Sequence, residues 1–472
     1  MTVAAQDSPE VVISANPADP GDHPAEVPAA GPEAVRRAVA SARTAQADWL
    51  TAGAAARAAA LGAVADALAA ASGTLAALIV REVGKPETEA RAEVSRTVAI
   101  WRYYAQLVYD PSGAVHEPAA GGGLLLTRRR PHGVAGLITP WNFPLAIPSW
   151  KAAPALAAGN AVLLKPAPEA TACALLLAEL VADALPAGVF TVLPGGAREG
   201  AALATEADVV SFTGSDAAGR AVVRAATAWG IPVQAEMGGL NAAVVLPDAD
   251  IARAAADIAA ATAGYAGQKC TATSRVIAVG AALDPLREAL AAALAALPAA
   301  DPADPATVCG PLISSSARAR VTAVRDSALA AGARALTGGR RAAVSPGPGW
   351  YLDPVLLEGV PAGHPLLAEE VFGPIAVLLP AADLTEAVTA ACGVRQGLVT
   401  SVHTRDLDHA LYAAERLDTG MVRINAPSTG VDFHLPFGGE KSSSHGPREQ
   451  GRQAMDFYTS TRTVSLLPAG AR

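Results

Sequence analysis

The chain has 472 residues, too many for one ordinary hydrophobic core, so about two or three domains are expected. It is 51% hydrophobic but only 4% aromatic, an alanine-driven excess that reads as helix-rich packing with small side chains and not as a membrane protein. The formal net charge of −8, with one short basic run at Arg128-Arg129-Arg130, excludes the basic stripe that a nucleic-acid partner requires.

The opening MTVAAQDSPEVVISANPADP has no basic region followed by an apolar stretch, so no secretion signal is expected and the segment reads as a loose lead-in. From about Gly31 to Leu78, apolar positions recur at three- and four-residue spacing, with Pro32 suited to a first turn, which predicts a helical front end. LLLTRRRP, around 124–131, alternates as an exposed strand does; so does the late YTSTRTVSLLP, and the two are expected to pair with each other or with another subunit. Gly133 to Trp150 is uncharged over nearly a membrane-spanning length, but Pro140, Pro144, Pro148 and Asn142 make it a strand followed by a loop. From there GVAGLI, AVLLK, FTVLP, DVVSF and PVQAE read as strands. They alternate with the helical PSWKAAPALAAG, TACALLLAELVADAL and DAAGRAVVRAATAW, the texture of a parallel sheet covered by helices. The alternation resumes at AAVVL and ADIARAAADIAAATAG. It crosses Pro- and Gly-rich stretches near 298–312 and 339–350 and reaches a late strand, GMVRIN.

The chemistry-bearing candidates sit at the ends of these strands. Cys270, in GYAGQKCTATSR, is a lone thiol among glycines and small polar residues; Lys269 beside it is expected to lower the thiol pKa and raise the attacking thiolate fraction. Cys173, Cys309 and Cys392 lack such a setting and read as inert. The four cysteines form no C-x-x-C pair, so neither a metal site nor a disulfide framework is expected, and a reducing cytoplasm fits best. Glu236 ends a strand directly before a glycine pair, where a partly desolvated carboxylate can act as a general base. Asn142, in ITPWNFPL, is an amide in a rigid apolar turn, suited to an oxyanion hole or simply to organising a Pro-rich loop. SFTGSDAAGR sets Gly214 and Gly219 across a strand-to-helix turn that can face a pyrophosphate, although the full dinucleotide fingerprint is missing. Lys165, ending AVLLK, can reach ribose hydroxyls or a 2′-phosphate at the same sheet edge.

Taken together and in order, TPWNFPL, KPAPE, SFTGS, EMGGLN, GQKCTATSR, EEVFGP and PFGGEK resemble the aldehyde dehydrogenase superfamily over roughly residues 30 to 468. The texture of TPWNFPLAIPSWKAAPALAAGN and of the C-terminal PFGGEKSSSHGPREQGRQAMDFYTSTRTV is most similar to the branch of α-ketoglutaric semialdehyde (2,5-dioxopentanoate) dehydrogenases, which implies a small semialdehyde substrate. The resemblance implies an α/β fold: a Rossmann-like NAD(P)-binding domain at 1–110 and 131–238, an α/β catalytic domain at 239–441, and a small β oligomerisation extension from 111–130 and 442–472. It implies that Cys270 attacks the aldehyde, that Asn142 and the Cys270 N–H hold the oxyanion, and that Glu236 activates the water that releases a free acid. Members that acylate coenzyme A generally lack this glutamate. Trp141, Lys165, Glu169, Gly214, Ser215, Gly238, Glu370 and Phe372 would surround NAD or NADP; the glutamate that often marks NAD preference is displaced here from Pro168 to Glu169, so both cofactors stay open. Ile147, Trp150, Lys269, Thr271, Phe433 and Phe437 would line the substrate tunnel, and a homodimer or homotetramer is implied. Leu240 stands where many members carry lysine, with little effect expected on catalysis.

Overall fold

Short, β-branched and aliphatic runs punctuated by glycine and proline become strands buried on both faces, while the alanine-rich segments between them become helices that cover those faces. A computed structural model describes residues 10–110, 112–119, 122–338 and 347–467. Of the stretches singled out in the sequence, residues 1–9, residues 339–346 and Pro468 lie outside these.

One sheet has six strands, ordered Ser444–His445, Val233–Glu236, Val209–Thr213, Val134–Ile138, Ala161–Lys165 and Phe190–Val192. All are parallel except Ser444–His445, which runs antiparallel to Val233–Glu236. Val134–Ile138, first of the parallel strands in sequence, sits in the middle. The chain adds strands on one side of it and then on the other, so a crevice opens between the carboxyl ends of Val134–Ile138 and Val209–Thr213. This is a Rossmann-like arrangement. The second sheet has seven strands, ordered Arg334–Thr337, Val355–Glu358, Ile375–Ala381, Thr273–Val279, Asn241–Val245, Val399–His403 and Met421–Ile424, with only the first antiparallel to its neighbour. A third, three-stranded antiparallel sheet joins Thr459–Leu466, Leu124–Pro131 and Gly113–His116. The two segments with exposed-strand texture therefore pair with each other.

The helical front end is broken into Gly31–Thr51, Gly53–Ala70 and Ser72–Val83. Gly53–Ala70 is long and apolar enough to pass a membrane-span test, but the apolarity comes from alanine, and Leu61, Val64, Ala65 and Leu68 bury one stripe of it in the core. Two features depart from the sequence reading. The lead-in is not loose: Val11–Ser14 pairs antiparallel with Ala25–Pro28, and the buried Ser14 hydroxyl accepts the Ala25 N–H. A fourth helix, Glu87–Leu107, follows the front end. Its inward face carries Glu93 and Thr97 among Val94, Val98, Ile100 and Trp101, and those buried polar positions interrupt the apolar stripe that would have revealed it. Glu93 is held by the buried ammonium of Lys85 and by the N–H groups of Leu145 and Ala146, which open the Ala146–Ala157 helix. A carboxylate there satisfies orphan donors at a helix start and faces its positive dipole end.

Candidate active site

The three residues expected to do chemistry come from three separate stretches and meet around one cavity. It has a volume of about 400 Å³, and Asn142, Glu236 and Cys270 all line it. A second cavity of about 230 Å³ lies on the other side of Cys270, so the thiol faces both.

Cys270 follows a strained turn. Tyr265 and Ala266 take φ of 53° and Gly267 66°, left-handed values that cost roughly 1–3 kcal/mol for each non-glycine residue and persist only where packing enforces them. Packing does enforce them: Tyr265 is fully buried and its hydroxyl donates to the Val83 carbonyl at 2.9 Å. Gly267 also abuts the Gly373 carbonyl, 2.3 Å from where a Cβ would stand, so no larger residue fits. Gln268, fully buried, donates to the carbonyls of Tyr265 and Pro311 and accepts the Ile313 N–H at 2.8 Å. Asn241 completes the clamp, donating to the carbonyls of Cys270 (2.7 Å) and Ala272 (2.8 Å). The nucleophile candidate is thus held by backbone it cannot easily leave.

Its electrostatics overturn one expectation. Lys269 does not lower the thiol pKa, because its ammonium is bound to Glu89 at 2.8 Å. The Cys270 pKa is instead driven upward, first by burial and then by the charges of Glu370, Glu236 and Glu449. Its own backbone N–H works the other way, stabilising the thiolate. With burial and three carboxylates outweighing that N–H, the thiol needs a base to remove its proton.

Glu236 ends its strand 2% exposed. One carboxylate oxygen accepts the Ser444 hydroxyl, while Oε1 has no hydrogen-bond partner among the described residues. Burial and the nearby Glu449 raise its pKa well above the ordinary carboxylate range. Asn142 donates through Nδ2 to the Gln268 carbonyl at 3.0 Å; an amide has a second N–H, which this bond leaves over.

The large cavity also gathers Trp141, Glu169, Gly214, Ser215, Gly238, Glu370 and Phe372. Ser215 caps the Asp216–Ala228 helix, whose amino end faces this crevice beside Gly214. Trp141 and Phe372 meet edge to face, ring centroids 5.7 Å apart. A Cβ on Gly238 would stand 1.8 Å from Glu370 Oε2, so glycine there leaves room for that carboxylate. Glu370 accepts the Gly239 N–H, and desolvation pushes its pKa up to about 8. Lys165 is 6% exposed and donates to the carbonyls of Pro166 and Gly195; burial draws its pKa down to about 8, against the pull of Glu169 and Glu199.

Ile147, Trp150, Lys269, Thr271 and Phe437 line the smaller cavity with Cys270. Phe433 does not. It borders a separate hollow with Tyr103 and His434, its ring 5.7 Å from that of Tyr103. Leu240 is buried, and its carbonyl accepts both Nε and Nη2 of Arg275. The sequence reading missed Lys151 and Glu449. Lys151 is 1% exposed, and its ammonium contacts Glu449 at 2.7 Å and the Ser211 hydroxyl at 2.8 Å. Glu449 also accepts the Trp150 indole N–H at 3.0 Å. The signal available was a lysine inside the otherwise apolar SWKAAPALAAG helix, a placement that demands a buried partner.

The fold and site define a two-cavity α/β protein in which one cysteine stands where both cavities end. The model of the aldehyde dehydrogenase family matches residues 3–464, and the chain belongs to that family. It is 37% identical over 468 residues to the alpha-ketoglutaric semialdehyde dehydrogenase of Bacillus subtilis, covering 98% of this chain and 96% of that one. Among solved structures, an NAD-dependent aldehyde dehydrogenase of Sinorhizobium meliloti superposes with a TM-score of 0.93 at 33% identity, covering 100% of this chain and 94% of that one. An NADP-dependent enzyme of E. coli gives the same TM-score and identity, covering 97% and 95%.

Proposed function

We propose that this chain oxidises a small semialdehyde to the carboxylic acid with NAD or NADP, through a thioester on Cys270. The observation that carries the reading is that the thiol lines two cavities, one of which the buried carboxylate of Glu236 lines as well. The cavity residues fit a dinucleotide, since a helix amino end beside Gly214 and Ser215 suits phosphate; Lys165 does not line the cavity, but its ammonium at the same sheet edge, bound to the Pro166 and Gly195 carbonyls, would meet ribose hydroxyls by exchanging those partners. Glu370 and Phe372 would border the nicotinamide end. When bound, the nicotinamide supplies the two-electron acceptor for the oxidation.

The protein's own groups account for the remaining steps. Burial makes the thiol a weaker acid, and the raised pKa of Glu236, which makes it a stronger base, offsets part of that loss as the proton passes from sulfur to carboxylate. The sulfur forms its bond to the aldehyde carbon, and the carbonyl oxygen takes up negative charge. The second Asn142 N–H and the Cys270 N–H, both fixed in advance, are the donors available to it. After oxidation, a thioester joins Cys270 to the acyl group. Once Glu236 has released the thiol's proton to solvent, it takes a proton from water as the water attacks the acyl carbon, the carbon–sulfur bond breaks to return Cys270 as its thiolate, and the free acid leaves. Lys151 and Glu449 lie behind Glu236, and the Glu449 charge helps to hold its pKa high.

Glu236 favours water over coenzyme A as the acyl acceptor, and the intact Cys270, Glu236 and Asn142 set disfavours a catalytically silent role. We assign cofactor binding to residues 1–110 and 131–238 and catalysis to 239–441. The three-stranded sheet from 111–130 and the C-terminal segment exposes Val115, Leu124 and Leu466, apolar surface that a second copy would cover in a homodimer or homotetramer. A panel of aldehydes read as NADH or NADPH absorbance tests the reading. Wild type should reduce a cofactor, with or without coenzyme A, and Cys270→Ala should not. Normal turnover by the alanine variant would refute the covalent route; no reduction by wild type with any aldehyde would refute the activity.

A further inference from the structure

The carboxylate of Glu236 is held by a single hydrogen bond among the described residues, and its donor stands outside the cavity. Ser444 pairs in antiparallel register with Glu236, so the two side chains share one face of the sheet. Its hydroxyl works in both directions. It accepts the Gly439 N–H at 2.7 Å, which fixes the oxygen, and donates its one proton to Glu236 Oε2. Two cations lie near without bonding to Glu236: Lys151 is committed to Glu449 and Ser211, and Arg448 to the Gly439 carbonyl and Glu440. Both cations and the Ser444 hydroxyl favour the ionised carboxylate, while burial and Glu449 oppose it. The other titratable groups that share the cavity lining with Glu236 are Cys270, Glu169, Arg320 and Glu370, and Ser444 is not part of that lining. Oε1 is left over; a Cβ on Gly438 would stand 2.9 Å from it, so glycine there keeps room around the oxygen.

We propose that Ser444 is a positioning residue for the general base: its hydroxyl grips Oε2 of Glu236 from behind the cavity and leaves Oε1 as the oxygen that meets water. The inference rests on the water-activating role given to Glu236 above. A glutamate side chain has three rotatable bonds, and one hydrogen bond to a hydroxyl that is itself tied to backbone removes most of that freedom. The same bond stabilises the ionised form, the only one that can accept the proton of water, because a hydroxyl donates more strongly to a carboxylate than to a neutral acid. Without it the carboxylate would be left with burial and Glu449 against ionisation, and it could turn toward Lys151 or Arg448 and out of line with the acyl group on Cys270.

The test is the pH profile of kcat with saturating butanal or succinic semialdehyde, in wild type, Ser444→Ala and Ser444→Thr, and in Glu236→Gln with and without Ser444→Ala. While the thioester stands the sulfur carries no proton, so the inflection in its hydrolysis belongs to Glu236. In Ser444→Ala that inflection should move upward by roughly 1–2 pH units, the worth of one hydrogen bond to a charged group. Below the inflection kcat should fall by about 10- to 100-fold, since the rate there follows the ionised fraction, with KM little changed. Ser444→Thr keeps a hydroxyl and should keep the wild-type inflection, and a wild-type denaturant midpoint reports an intact fold in each variant. In the Glu236→Gln background, where no base is left to hold, Ser444→Ala should add no further loss. An unmoved inflection in folded Ser444→Ala overturns the proposal and leaves the dehydrogenase reading standing. So does a folded Ser444→Thr with the profile expected of alanine, or a loss of kcat in the Gln background as large as in wild type. A wild type that oxidises neither these two aldehydes nor any other of the panel defeats the dehydrogenase reading, and this proposal with it.

Discussion

Replacing Glu236 by Gln separates acylation of Cys270 from release of the acid. The amide keeps the shape of the carboxylate and can still accept the Ser444 hydroxyl. Its N–H group would fall where Oε1 now has no partner, and a buried unpaired N–H costs roughly 1–3 kcal/mol. Against that, the substitution removes a desolvated charge repelled by Glu449, so the protein should remain folded with stability little changed. The loss should instead appear in the rate. A positioned general base contributes about 10²- to 10⁴-fold, equivalent to about 3–5 kcal/mol of barrier. Rapid mixing of enzyme, cofactor and aldehyde should give a burst of reduced cofactor of about one equivalent per site, rising more slowly than in wild type because the thiol proton then leaves to solvent instead of to Glu236, followed by steady turnover slowed by that factor. In wild type the steady rate should climb with pH through an inflection above the usual carboxylate range. Burial and Glu449 raise the Glu236 pKa, and only the ionised form accepts a proton. The Gln variant should lose that inflection. A steady-state rate equal to wild type would remove Glu236 from water activation and refute the reasoning.

Two further outcomes follow from other buried charges. Glu93→Ala strands the Lys85 ammonium and uncaps the Ala146–Ala157 helix, so stability should drop by about 3–5 kcal/mol, read from the denaturant midpoint; an unmoved midpoint would show that this pair is not structural. Lys165, with its pKa drawn down to about 8, is charged below that pH and neutral above it. If its ammonium holds the cofactor, the cofactor KM should rise as pH passes upward through about 8, and Lys165→Met should raise KM and flatten the dependence; a wild-type KM indifferent to pH across that range would place Lys165 outside the site.

The residues proposed to react were legible because each sits in a local pattern with its own chemical meaning: a thiol among glycines, a carboxylate before a glycine pair, an amide between prolines and aromatics. Strand identity was legible too, since short apolar runs between helices have few other uses. The Glu87–Leu107 helix was not, because Glu93 and Thr97 lie on its buried face and satisfy their polarity through Lys85 and backbone far away in the chain. Nor was the N-terminal ribbon, whose four-residue strand Val11–Ser14 is too short to stand out from loop.

Sequence alone determined the α/β alternation and the family and singled out the proposed triad, because periodicity and motif spacing are properties of neighbours along the chain. Only the tertiary structure decided what charge surrounds the thiol. It paired Lys269 with Glu89, set three carboxylates near Cys270 and kept Phe433 out of the lining of the smaller cavity. Coulomb interactions and desolvation depend on distances through space, and those distances are fixed by how remote segments pack.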